Sequence, residues 1–571
     1  MDKLELPPET LLHIGGFLER GSLANCIRVC KSWKTLLTPV LFQTIDDSHP
    51  QPPKDAIARH AHLVRNLHFS TSSRFQSSVF AASFTDGYSR CDNLKELDLT
   101  FDFQRFEMDK DRLSAKDLIL KNQNLQKLYI YEQEEHRQEH RACWSQALAR
   151  CNRSLKVLSL TNLWLSAEDT LLLWELAPSL QKLKLETGIS TWSGSFATSP
   201  QFPQLTSLCF KDALPSVEQE LEWIKQCPNL RVLDWSSSRN RLPSAREAFR
   251  NFGTYQWSYL QNVSIWGDTT WTDSQVACLL RSCGPLKCLR VDRSEFWYRS
   301  LDALERHFET LETLQLTRGI NLRGWMIQWI MSSCPKLKTL ISEVFPAEAF
   351  IQCEGAEEAR RSLADMDDES DMTAAWQEEH DGETDKNGNL KTIMARFASV
   401  RDHSRVRPWV CLNLERLQVI VIIPYEADKE WDKGVFRQLS RLTKLTDLEL
   451  HEEFTVIPPD SRPVRIDLKS GLGQLAPLRG LENFMFDGSE QSMERGDVQW
   501  ILDHWPKLKS ISSEFNVDAD IAAQLQSLVR NAGRDIFMTT CFGSDLEMDD
   551  SNSDEGNDDF DSDSWGEEET S

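Results

Sequence analysis

The chain lacks a long hydrophobic run. Its longest purely apolar stretch, Val419–Pro424, falls far short of the roughly 20 residues that a membrane helix needs. Asp2, Glu5 and the pair Pro7-Pro8 interrupt the first residues, so no secretory leader is expected. Among 14 cysteines there is no C-x-x-C pair, which removes the commonest zinc and redox spacings. These cysteines read as reduced thiols of the cytosol or nucleus. No nucleophile elbow, phosphate loop or dinucleotide fingerprint occurs, and no cofactor or metal is expected. Basic charge is also missing. The net charge is −24, and two segments carry −23 of it. Glu354–Lys386 holds thirteen acidic and three basic residues, and Asp545–Glu569 holds thirteen acidic and none basic. This balance argues against general nucleic-acid binding, which depends on lysine and arginine neutralising phosphates.

What the chain has in quantity is a repeat. L-x-x-L-x-L recurs as Leu94/Leu97/Leu99, Leu125/Leu128/Ile130, Leu155/Leu158/Leu160 and Leu180/Leu183/Leu185, and onward to Leu311/Leu314/Leu316. Looser copies begin at Val64, Leu337, Leu414, Leu445, Leu481 and Leu508. From Leu94 to Leu337 the spacings are 31, 30, 25, 25, 25, 30, 26, 25 and 26 residues. A period of about 20–29 residues with this core is the leucine-rich-repeat signature. The L-x-L alternation puts two side chains on one face of a short strand. Between strands lie amphipathic helices, clearest over Thr272–Cys283, where Val276, Leu279, Leu280 and Cys283 form one stripe. Neither element buries its apolar face alone, whereas stacked units do. The expectation is an α/β fold, a right-handed solenoid or horseshoe with its strands on the concave side. Cys91, Cys227, Cys283 and Cys334 each end a helix just before a strand and read as small buried apolar residues.

The opening block is of another kind. Pro7-Pro8 and Glu9 suit a helix start, and Leu11, Ile14 and Leu18 share a face. Gly21-Ser22 breaks the run, with Ser22 as N-cap of a second helix. That helix carries Leu23, Cys26, Ile27, Cys30 and Leu37 on one stripe, and Val29, Trp33, Leu36 and Val40 on another. Two apolar stripes are more than a module of about 40 residues buries by itself. One should meet a partner or the repeats.

Leu6-Pro7-Pro8-Glu9, Leu11-Leu12, Ile14, Leu18, Leu23, Val29-Cys30 and Trp33 together resemble the F-box, whose form is L-P-x-E, aliphatic residues, I-x-x-x-L, L, then V-C-x-x-W. The resemblance implies a small all-α module that binds the adaptor subunit of a Skp–cullin–F-box (SCF) ubiquitin ligase and, through it, a cullin. The repeats would hold a protein substrate, and the receptor itself would not be an enzyme. Leu6, Pro7, Leu11, Ile14, Leu18, Leu23, Val29 and Trp33 are the implied adaptor-contacting or supporting residues. Thr10 and Gly15 depart from the pattern: the first position is usually aliphatic and the second bulky and apolar. Gly15 therefore marks either a lost contact or a local repacking.

The resulting organisation is an F-box over 1–45, repeats over 60–345 and 406–540, and acidic, disordered segments over 346–405 and 541–571. For substrate contact the candidates are Trp235, Trp266, Trp271 and Arg290 at the concave rim, because tryptophan is enriched among interface hot spots. It is equally ordinary filling for such an array. The alternative to a ligase receptor is a leucine-rich-repeat scaffold with no role in ubiquitination. H-x-x-E-H at His136, Glu139 and His140 formally matches a zinc-peptidase spacing, but its polar surroundings read as a solvated helix face. Over the copies from Leu94 to Leu337, Lys95, Lys156, Arg231, Lys287 and Lys338 each follow the first leucine of a repeat, against one acidic residue there, Glu312. Stacked, they would form a basic edge on which an acidic segment could fold back.

Overall fold

The structure is a computed structural model. It describes residues 6–46, 54–70, 88–101, 108–132, 144–151, 154–163, 165, 172–173, 175–186, 202–211, 217–236, 255–266, 271–317, 324–346, 408–427, 429–450, 461–486, 491–512, 515–516, 518–532 and 536–539. Apart from Pro346, which the structure places at the end of a strand, the segments 346–405 and 541–571 and the H-x-x-E-H stretch lie outside the described residues.

Three helices open the chain: α1 (Pro8–Gly15), α2 (Arg20–Cys26) and α3 (Lys31–Gln43). Helix α3 runs directly into a first strand, β1 (Thr44–Asp46), which pairs in parallel with β2 (Asn66–Ser70). From there one sheet continues through β3 (Glu96–Phe101), β4 (Lys127–Glu132), β5 (Val157–Thr161), β6 (Lys182–Glu186), β7 (Ser207–Lys211), β8 (Val232–Ser236) and β9 (Asn262–Trp266). It goes on through β10 (Cys288–Asp292), β11 (Thr313–Thr317), β12 (Thr339–Pro346), β13 (Arg416–Pro424) and β14 (Asp447–Leu450). β15 (Ser461–Pro463) pairs antiparallel with the end of β13, and the parallel ladder resumes at β16 (Asn483–Phe486), β17 (Ser510–Ser512) and β18 (Phe537–Thr539). The strand β1 carries no L-x-x-L-x-L motif, so the sequence pattern does not reveal it. It makes the helical module and the repeats share one sheet.

Every leucine position of the nine regular copies is buried, at 2% exposure or less. Along β3 the alternation is strict: Leu97, Leu99 and Phe101 point in, and Glu96, Asp98 and Thr100 remain half-exposed. The helix Asp273–Ser282 begins at a capping box, Thr272 with Gln275, and buries Val276, Leu279 and Leu280 against the strands. β12 and β13 pair directly, Thr339 with Arg416 and Leu340 with Leu417. The insertion between them therefore leaves the ladder unbroken.

Two substitutions for backbone pairing hold the loops before the strands. Asn122 accepts from the Leu94 N–H (2.7 Å) and donates to the carbonyls of Cys91 and Leu118. In a later repeat buried His307 does this work: the Leu286 N–H donates to Nδ1 (3.3 Å), and Nε2–H donates to the Leu280 carbonyl (3.1 Å). A second row of bonds runs along the strand-start edge. Each N–H donates to the carbonyl of its counterpart one strand earlier, in the order Lys95, Gln126, Lys156, Gln181, Thr206, Arg231, Gln261, Lys287, Glu312, Lys338.

Cys91, Cys227, Cys283 and Cys334 are buried as the sequence predicts. Burial pushes the Cys91 thiol up to about 12 and raises the other three as well. The thiols of Cys227 and Cys283 donate to Trp223 O and Leu279 O, one helical turn back. These are protonated packing groups.

Candidate docking site on the helical module

Pro7 stands at the N-cap of α1 with Pro8 and Glu9 in the first turn. Proline suits this position because the first helical N–H groups have no intrahelical acceptor. Leu11 and Gly15, four apart, are the buried residues of α1. Gly15 has no side chain to pack. A β-carbon built there would sit 2.8 Å from Leu37 Cδ2, 3.7 Å from Leu23 Cδ2 and 3.8 Å from Val40 Cγ1. The glycine faces inward, and its missing side chain is the room into which α3 packs. Of the two readings left open by the sequence, local repacking is the one the structure holds.

Gly16 ends α1, and its N–H is shared between Leu12 O and His13 O. Helix α2 starts at Arg20 with Glu19 as N-cap, so Ser22 lies inside the helix. A turn at Ile27–Val29 then separates α2 from α3, where the sequence suggests one continuous helix. Cys30 is exposed and caps α3, its Sγ accepting from the Trp33 N–H at 3.4 Å. It is not a core residue. Leu23, Leu37, Leu41 and Phe42 form the module's interior and join the core of the repeats.

The eight residues singled out by sequence fall into two groups. Leu11 and Leu23 are buried, while Leu18 and Trp33 pack half-buried against the core. Leu6, Pro7 and Ile14 are exposed, and Val29 is 66% exposed. Sequence reasoning missed Leu12, which is also exposed, and Phe17, which is 79% exposed with its ring edge-on to His13. Phe17 follows Ile14 by three residues just past Gly16, and that spacing is the signal that would have found it. Of fifteen large apolar side chains exposed among the described residues, five lie here. Fully burying such a side chain from water is worth about 1.5–3 kcal/mol, and each gains in proportion to what it still exposes, so the module presents a surface that gains by being covered. Half-buried Arg20, lowered by desolvation and stabilised by neighbouring Tyr88 and Asp46, sits between the module and the first strands.

The rim candidates separate differently. Trp235 and Trp271 are fully buried, their rings edge-to-face at 4.7 Å, and Trp235 Nε1 donates to buried Glu220 at 2.7 Å. The expectation that these two offer rim surface is not met. Trp235 occupies the third leucine position of its repeat, and strand parity sends it inward. Trp266 and Arg290 are exposed, Trp266 at 41%. Trp266 Nε1 donates to Asp234 Oδ1 at 2.5 Å, and Asp234, Ser264 and Arg290 share one row across β8, β9 and β10. Desolvation raises the Asp234 carboxyl, against the hydrogen bond from Trp266 and the charges of Lys184 and Arg290. The result is an exposed indole held by a hydrogen bond beside a half-buried acid and an exposed arginine that also meets the Cys288 side chain.

No curated protein matches the chain significantly. Among solved structures, it is similar to the TLR13–ssRNA13 complex at 12% identity and a TM-score of 0.35, covering 84% of this chain and 58% of that one. It is also similar to the Rad7–Elc1 complex of yeast at 12% identity and a TM-score of 0.31, covering 89% and 88%. The chain thus spans little more than half the length of the first of these. Residues 4–48, which contain α1–α3 and β1, match the F-box-like family model.

Proposed function

We propose that this protein is a substrate-recognition subunit of an SCF-type ubiquitin ligase, acting in the cytoplasm or nucleus. The helical module docks the ligase adaptor and, through it, a cullin. The array, with the spacing of leucine-rich repeats, holds a protein substrate. The mechanism is proximity: ubiquitin transfer takes place on other subunits, and this chain fixes the distance between target and ligase. The observation that supports it is the coincidence of the F-box-like match with a module that leaves Leu6, Leu12, Ile14, Phe17 and Val29 exposed. On the array, the strand face around Trp266, Asp234 and Arg290 is the proposed substrate contact. An exposed arginine beside a hydrogen-bonded indole suits a protein surface, where Trp and Arg dominate binding energy.

Co-purification tests the assignment. The full chain should bring down adaptor and cullin together, and Leu6→Asp with Pro7→Ala should abolish both while the chain stays folded. A chain that retains neither partner is a repeat scaffold outside ubiquitination.

A further inference from the structure

The strand-start edge is electrically uneven along the sheet. Two positions per strand lie there, the residue after the first leucine and the one following it. Over β3–β10 these positions hold Lys95, Lys127, Lys156, Lys182, Arg231 and Lys287, with Glu96 as their one acid. Glu96 is taken up by Lys127 at 2.9 Å. Among the described residues Lys95, Lys156, Lys182, Arg231 and Lys287 enter no ion pair, and all but half-buried Lys95 are exposed. From β11 onward acids share the edge: Glu312, Glu415, Asp447 and Glu482 stand with Lys338, Arg416 and Lys509. Lys338 pairs with Glu312 (2.7 Å) and Lys509 with Glu482 (2.5 Å) along it, while Arg416 reaches Glu449 (2.8 Å), two residues further along β14.

We propose that this basic half of the edge is a docking surface for the chain's own acidic segment, Asp545–Glu569. The charges are complementary, thirteen acids and no base against five unpaired cations. The geometry also permits it. The segment follows β18, which lies seven strand steps from β10 by the ladder β18–β17–β16–β14–β13–β12–β11–β10. At about 4.8 Å per step this is about 34 Å to Lys287 and about 67 Å to Lys95. Thirty-two residues follow Thr539, and at up to about 3.3–3.6 Å each they reach that far. Docked there, the segment occupies the edge in competition with any acidic stretch of a bound protein.

The test uses the full chain and a full-length variant whose acidic residues in 545–569 are replaced by asparagine and glutamine. The probe is a labelled synthetic peptide of residues 545–571. The variant should bind the peptide at least tenfold more tightly than the wild type, whose own segment competes at high effective concentration. Its affinity should fall at least tenfold between 50 and 500 mM salt. Lys156→Glu/Arg231→Glu/Lys287→Glu in the variant should reduce binding at least tenfold, with Lys156→Gln/Arg231→Gln/Lys287→Gln intermediate. Melting curves check that each chain is folded. Equal affinity for wild type and variant overturns the proposal, as does binding that survives the triple reversal or is lost equally on Lys338→Glu/Lys509→Glu.

Discussion

Gly15 and Leu37 are in contact across two helices, so close that a β-carbon on Gly15 would come within 2.8 Å of Leu37 Cδ2. Leu37 is itself buried, so it has little room to yield. Gly15→Leu should therefore destabilise the module by about 1–3 kcal/mol through overpacking. Gly15→Ala regains about 1 kcal/mol of helix propensity and should be far milder. Amide hydrogen exchange of α1 and α3 reads both. Unchanged protection in Gly15→Leu would mean that the close approach is not maintained in solution.

The two exposed and two buried rim candidates make opposite predictions. Trp235→Phe removes a hydrogen bond to buried Glu220 and should cost about 1–3 kcal/mol. Trp266→Ala removes the hydrogen bond to half-buried Asp234 and should cost about 0.5–1.5 kcal/mol, while weakening whatever protein the array retains. Thermal melts of both variants, paired with a binding measurement, separate filling from contact.

His307 gives the fold a pH dependence with a definite sign. Burial lowers its pKa to about 4, against about 6.5 in an unfolded chain. Between these values the unfolded chain binds a proton that the folded one refuses. The stability tied to this site is complete above about pH 6.5 and is lost as pH falls toward 4. Between pH 7 and pH 5 the loss should be about 2 kcal/mol. Asn122 makes the equivalent bond to a leucine N–H without titrating. His307→Asn should therefore show a smaller drop in melting temperature over that range than the wild type does.

Asp432 and Arg462 form a buried bidentate pair at 3.0 and 2.8 Å, and Asp432 also accepts from the Arg465 N–H. The pair pins β15 to the helix Lys429–Leu439. Arg462→Met strands a buried carboxylate and should cost about 3–5 kcal/mol. The double variant Asp432→Asn/Arg462→Met should recover most of that loss in a denaturation midpoint.

Much of this was legible in the sequence, and the rest was hidden for identifiable reasons. The leucine spacing places β3–β12 and their buried positions because strand parity is local and periodic. The same parity puts Trp235 inside and Trp266 outside. Counting tryptophans as rim residues overlooked it. β1 was not legible because three residues carry no period; it is set by the end of α3 and the free edge of β2. Gly15 was undecidable because a missing β-carbon leaves a hole or admits a neighbour according to the distance between two helices. Cys30 looked apolar by type, and its capping role depends on where α3 begins.

The docking of the module is the central claim, and one measurement addresses it directly. The purified full chain is mixed with an SCF adaptor subunit, and complex formation is followed by size exclusion and titration, for the wild type, Phe17→Asp and Ile14→Asp. The account predicts a stable wild-type complex and at least tenfold weaker binding for each variant, with the melting temperature unchanged in Phe17→Asp, whose side chain is 79% exposed, and only slightly lowered in Ile14→Asp. Absence of a wild-type complex, or full-strength binding by both aspartate variants, would contradict it.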